Sequence, residues 1–176
     1  MKELTLSKLD IVKRQLETAI ILYFNEKDPV SIHTLTCAAY NVIRDLNYKK
    51  ENSSFSIREM FFKYGVKKEH EKEVIKKFNA AQNFFKHADK DSDEFLNFNP
   101  KATEILIFDA ANLYSSLSGE KPELFLLFIS WYIANNSDLF EFPLEHTEIL
   151  NSNKEDILKL GRQGYFNKIL PTLYKI

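Results

Sequence analysis

The chain has 176 residues, enough for one domain with a true hydrophobic core, and a formal net charge of −1 that excludes any long-range pull toward nucleic acid or an anionic membrane. Four glycines and five prolines argue against a turn-rich all-β protein, while fifteen Phe and eight Tyr call for an aromatic core with wide helix interfaces. A single cysteine excludes an internal disulfide framework and fits a reducing compartment.

From Ser7 to Phe24, apolar Leu9, Val12, Leu16, Ala19, Ile20 and Tyr23 fall at three- and four-residue steps opposite Asp10, Lys13, Arg14 and Glu17, which predicts an amphipathic helix. The N-terminus is charged at helical spacing and lacks the core of a signal peptide. In "NEKDPV", Asp28 is the expected N-cap and Pro29 the first residue of a second helix, since that position needs no backbone donor. That helix runs to about Leu46 on Ile32, Leu35, Ala39, Ile43 and Leu46, and Cys37 within it reads as a small buried hydrophobe. After the polar "NYKKENSS", Ser56 caps a short third helix that Gly65 is expected to end in a left-handed conformation. A fourth, highly charged helix follows from about Lys67, with Val74, Phe78, Ala81 and Phe85 as its stripe and His70 on its solvated face.

The stretch from about His87 to Phe98 has no helical stripe. Its alternating Asp89, Asp91 and Asp93 suggest a calcium loop, but the pattern then puts Glu94 where the turn requires Gly and Pro100 where a bidentate Glu is required. A solvated acidic loop is the better reading. Asn99 caps and Pro100 opens a fifth helix stopped by Gly119, and a sixth begins near Pro122. Its "LFLLFISWYIA" is apolar almost all round, hence central to the bundle and a candidate dimer interface, yet at eleven residues too short to span a bilayer. Pro143 marks a break, after which one more helix, a glycine-interrupted turn and a docking terminal segment are expected. The whole, residues 1–176, reads as one all-α domain of six to seven helices, soluble, cytoplasmic and without a membrane partner.

A few polar residues call for explanation. Asp109 falls on the apolar stripe of the fifth helix and His33 beside that of the second; a buried carboxylate needs a partner, and a His–Asp pair between the two helices would satisfy both. A metal site from His33, His87 and Asp109, joined by carboxylates such as Glu17 or Glu104, is the weaker alternative, because the paired Glu-x-x-His motifs of di-iron bundles are absent. His87, four residues after Asn83, has a structural reason to stand at a helix C-terminus, where an imidazolium meets backbone carbonyls. It is also a candidate acid or base, with Asn83, Lys86 and Arg44 as phosphate contacts. No glycine-rich phosphate loop, His-Glu-x-x-His, Cys-x-x-Cys or Gly-x-Ser-x-Gly occurs; "GRQG" at Gly161 to Gly164 is too short for the first, and nothing calls for a cofactor.

"QNFFKHA", Gln82 to Ala88, resembles the signature of the HEPN superfamily, small helical bundles that include RNA-cleaving toxins and defence nucleases. Asn83 and His87 match the family's polar residue and histidine, but Gln82 stands where the family has arginine. The resemblance implies an RNA phosphodiester as substrate and His87 as acid or base. Glutamine, however, cannot supply the charge that stabilises the transition state. "DPVSIHTLTCAAYNVIRDL" and "NFFKHADKD" also resemble a bacterial family of helical proteins to which no activity attaches. The sequence thus predicts a non-enzymatic interaction or regulatory module, with a protein partner or a second copy as its target; RNA binding or cleavage at His87 is the alternative.

Overall fold

The computed structural model describes residues 3–50, 56–89, 92–140 and 144–173, with backbone alone over 144–153. It is all-helical, with seven α-helices and no strand among the described residues. Helix α1 (Lys8–Phe24) starts at a capping box in which Ser7 and Asp10 satisfy each other's backbone N–H, and Asp28 caps α2 (Pro29–Tyr48) through the Ser31 N–H. A second capping box, Ser56 with Glu59, starts the four-residue α3 (Ile57–Met60), which continues as a π turn over Phe61–Gly65. A 3-10 turn at Lys68–His70 leads into α4 (Glu71–Lys86). Then come α5 (Lys101–Ser118), α6 (Glu123–Asn135) and α7 (Leu144–Leu173), the last kinked at Gly161.

Four helices make the core. Helix α1 turns back antiparallel onto α2 through a tight loop, and α2 lies against α5. The bonds His33–Thr103 and Tyr40–Asp109 ascend both helices together, so α2 and α5 run parallel. Ring contacts Phe108–Tyr132 and Tyr114–Phe125 run in opposite order, so α6 is antiparallel to α5. At the centre Phe24 meets Phe128 and Trp131 edge-on and Phe166 in a stack, and aromatic pairs of these kinds add roughly 1 kcal/mol each beyond the area they bury. The second half of α7 docks through buried Tyr165 and Phe166, as the sequence implied for its terminal segment.

Helix α6 turns most of its apolar surface inward, with Leu124, Phe125, Leu127, Phe128, Trp131 and Tyr132 all buried, as a central helix does, while Leu126 stays exposed. Two expectations change. Gly65 closes a π turn and is not left-handed; the positive-φ glycines are Gly119 and Gly161. Helix α4 begins at Glu71, because Lys67 is extended and the next three residues form the 3-10 turn. The expected break at Pro143 lies outside the described residues.

Helices α3 and α4, with the turns between them, form an arm laid over α2 and α5. No residue from Ile57 to Lys86 is fully buried. None of the helices is long and apolar enough to cross a membrane among the described residues.

Candidate functional site

His87 is the C-cap of α4. Its backbone N–H closes the last turn onto the Asn83 carbonyl at 3.0 Å, after which the chain becomes extended. Asn83, Lys86 and His87 are all exposed at this helix end. The Arg44 guanidinium turns to Asp45 at 3.2 Å. The acidic segment that follows exposes Asp89, Asp93 and Glu94; Asp91 lies outside the described residues.

His33 and Asp109 do not pair. The imidazole is buried among Phe85 and Phe98, with Nδ1 2.9 Å from the Thr103 hydroxyl and Nε2 3.3 Å from the Cys37 sulfur. Burial holds His33 below its ordinary pKa, which keeps the ring neutral, and pushes the Cys37 thiol up to about 11, which makes it inert. The parallel register of α2 and α5 sets Asp109 opposite Tyr40, two turns beyond His33. There Asp109 accepts the Tyr40 hydroxyl at 2.8 Å and the backbone N–H groups of Ile57 at 2.9 Å and Arg58 at 3.4 Å. The carboxylate therefore caps α3 from a neighbouring helix, and Asp109 fixes where the arm leaves the core. Burial nonetheless raises its pKa above the usual carboxylate range. With His87 exposed at the end of α4, the three residues considered as metal ligands stay apart; among the described residues no three His, Cys, Asp or Glu side chains group around a possible ion.

Two cavities stand beside these groups. One, of about 510 Å³, lies where the α1–α2 turn meets the start of α5 and the kink of α7. Trp131 Nε1 donates to the Tyr23 oxygen at 3.1 Å and the Tyr23 hydroxyl donates to Glu104 at 3.0 Å. Arg162 stacks over the Tyr23 ring and reaches Glu26 at 3.6 Å. Burial and the Glu104 charge push Tyr23 up to about 12. These polar groups satisfy one another, which is what a clasp between α1, α5 and α7 requires.

The other cavity, of about 380 Å³, opens between the arm and α5. Its lining is Ile57, Phe61, Val74, Phe78, Ile105 and Leu106, with Asp109, Arg58 and Lys77. The Arg58 guanidinium lies 4.7 Å from the Phe78 ring centre and 5.7 Å from that of Phe62, and donates to Asn79 Oδ1 at 3.2 Å. Among the described residues no carboxylate pairs with it, and burial lowers its pKa from the free value. Arg58 escaped the reading of the sequence. Its signal is a lone arginine two residues after a capping serine and shortly before an aromatic run, "SIREMFF", where a cation has rings to stack on but no acidic neighbour except Glu59.

Compared with family models, curated proteins and solved structures, the chain finds no match.

Proposed function

We propose that the protein is a non-enzymatic helical interaction module that recognises a protein partner through the α3–α4 arm. The observation that carries this is the composition of the arm's surface. Met60, Phe61 and Tyr64 are 49%, 49% and 72% exposed, a cluster of large apolar side chains on an element with no buried residue of its own. Around them residues 57–86 carry eight Lys and Arg against four Glu, a net +4 in a chain whose total is −1. Apolar anchors ringed by cations suit a partner segment with apolar side chains and acidic flanks. The protein captured on a column should retain a partner that is lost when Phe61 and Tyr64 are both replaced by Ser, and that elutes as salt rises. Sedimentation velocity with the same double variant separates a foreign partner from a second copy. A column on which wild type and variant retain the same proteins, with no change in self-association, removes the reading.

One observation favours the RNA reading as second choice: Asn83, Lys86 and His87 are accessible on the same cationic arm. Cleavage of RNA by the wild type and not by His87→Ala would establish it. The absence of arginine at Gln82 weighs against turnover, and the interaction reading expects neither protein to cleave.

A further inference from the structure

We propose that the cavity between the arm and α5 is a binding site for a small amphipathic carboxylate, with the acyl or aryl body among its apolar walls and the carboxylate on Arg58. This goes beyond the arm's recognition of a protein and does not depend on it.

The size of the space comes first. At about 380 Å³ the cavity falls in the lower range of small-molecule sites, and at the ~30 Å³ of a water it holds roughly a dozen non-hydrogen atoms. A dry core of close-packed side chains does not leave such a volume, and an apolar lining gives water few partners. The occupant is therefore mostly hydrocarbon.

The sign of its charged end follows from which polar groups at the site are already used. Asp109 accepts from the Tyr40 hydroxyl and from two backbone N–H groups, so its capacity is spent holding α3. Arg58 has the opposite standing. Of its five N–H donors the described residues engage one side-chain partner, Asn79, and its charge rests on aromatic faces that give back part of the lost hydration. Three aromatic rings lie around the guanidinium, which is planar by its own conjugation, and its remaining donors have the geometry a carboxylate pairs with at two points. Lys77, on the cavity lining, adds a second positive charge, although it also bonds Glu73 at 2.8 Å. An amine or a neutral head would leave Arg58 as it is and gain nothing from it.

Octanoate, with about ten non-hydrogen atoms, is the probe of matching size. Isothermal titration calorimetry of the full chain with octanoate, octanol and octylamine isolates the head group while holding the tail constant. Octanoate should bind at least about tenfold tighter than either, the difference expected of a charge-assisted pair. Arg58→Met, which keeps an unbranched apolar stem and removes the charge and its N–H donors, should erase the preference to within about threefold. Val74→Trp, which fills the cavity from α4, should weaken octanoate by about tenfold or more while circular dichroism stays helical. Equal or tighter binding of octanol or octylamine by the wild type overturns the proposal without recourse to any variant. So does the absence of octanoate binding, or a Val74→Trp protein that binds octanoate as well as the wild type.

Discussion

Asp109 and His33 are buried on adjoining helices, and their protonation acts on stability in opposite directions. His33 sits below its ordinary 6.5 because burial penalises the imidazolium. As pH falls through 6.5 the unfolded chain takes up this proton before the native state does, so native stability declines down to the folded pKa and then levels off. Asp109 sits above its ordinary 3.8. Between 3.8 and that raised value the native state holds the extra proton, so this residue's contribution improves as pH falls and is worst above its folded pKa. Urea midpoints measured across the acid range should therefore lose part of their decline below pH 6.5 in His33→Asn, which keeps a polar atom near Thr103. In Asp109→Asn the improvement on acidification should vanish, with a cost of about 1–3 kcal/mol because one amide face meets donors where an oxygen stood. Unchanged pH profiles in both variants would show that neither group titrates with folding. That Asp109 needed a partner, and that His33 could be one, was legible from their places on and beside apolar stripes. Which partner it found was not, because the choice depends on the parallel register of α2 and α5, and no local pattern encodes the relative sliding of two helices.

Glycine is where the elements depart most from what their sequence announces. The tail holds two, Gly161 and Gly164, three residues apart and alike in context. Gly161 has φ 63° and ψ 175°, a conformation nearly closed to residues with a Cβ, whereas Gly164 lies within an ordinary turn of α7. A methyl group at Gly161 would meet nothing within 4 Å, so any cost of Gly161→Ala is backbone strain, expected at about 1–3 kcal/mol. At Gly164 a Cβ lands 3.6 Å from Leu160, an ordinary contact, and Gly164→Ala should be neutral or gain about 0.5–1 kcal/mol. Thermal midpoints of the two variants test this, and a Gly161→Ala protein as stable as Gly164→Ala would place the kink elsewhere. The kink matters because the next residue, Arg162, is the one that stacks on Tyr23 and ties α7 to α1. The caps of α2 and α3 and the Gly119 stop were readable because each uses short-range hydrogen bonding or a bare left-handed turn. The tail's glycines announced an interruption, which is the kink at Gly161, but not which of the two would bend; the π turn ending at Gly65 was not readable, since it answers to what the helix packs against.

The molecule as a whole divides into a densely packed set of α1, α2, α5, α6 and the second half of α7, and an arm held to it by fewer means. The core of aromatic pairs and fully buried residues belongs to the first group; from Ile57 to Lys86 every residue keeps some exposure, and a cavity separates α4 from α5. What fastens the arm is local: the Ser56 box, the Asp109 cap, the Arg58–Phe78 stack and the packing of Phe85 on His33. Each is worth on the order of 1 kcal/mol, against the 5–15 kcal/mol that holds an entire domain. The amphipathic stripe of α4 was visible in the sequence, but a stripe states only that a helix docks, not how well the surface beneath it fits. Native-state hydrogen exchange should therefore show the amides of α4 opening at a free energy well below those of α1, α5 and α6, in one cooperative step that includes α3. Asp109→Asn should widen that gap, because it loosens the cap that joins arm to core, while leaving α6 protected. Octanoate should narrow it in the wild type, since a ligand between arm and core binds only the closed form. If α4 exchanges only with global unfolding, the arm is part of the core's cooperative unit and the space beneath it is not a door that opens.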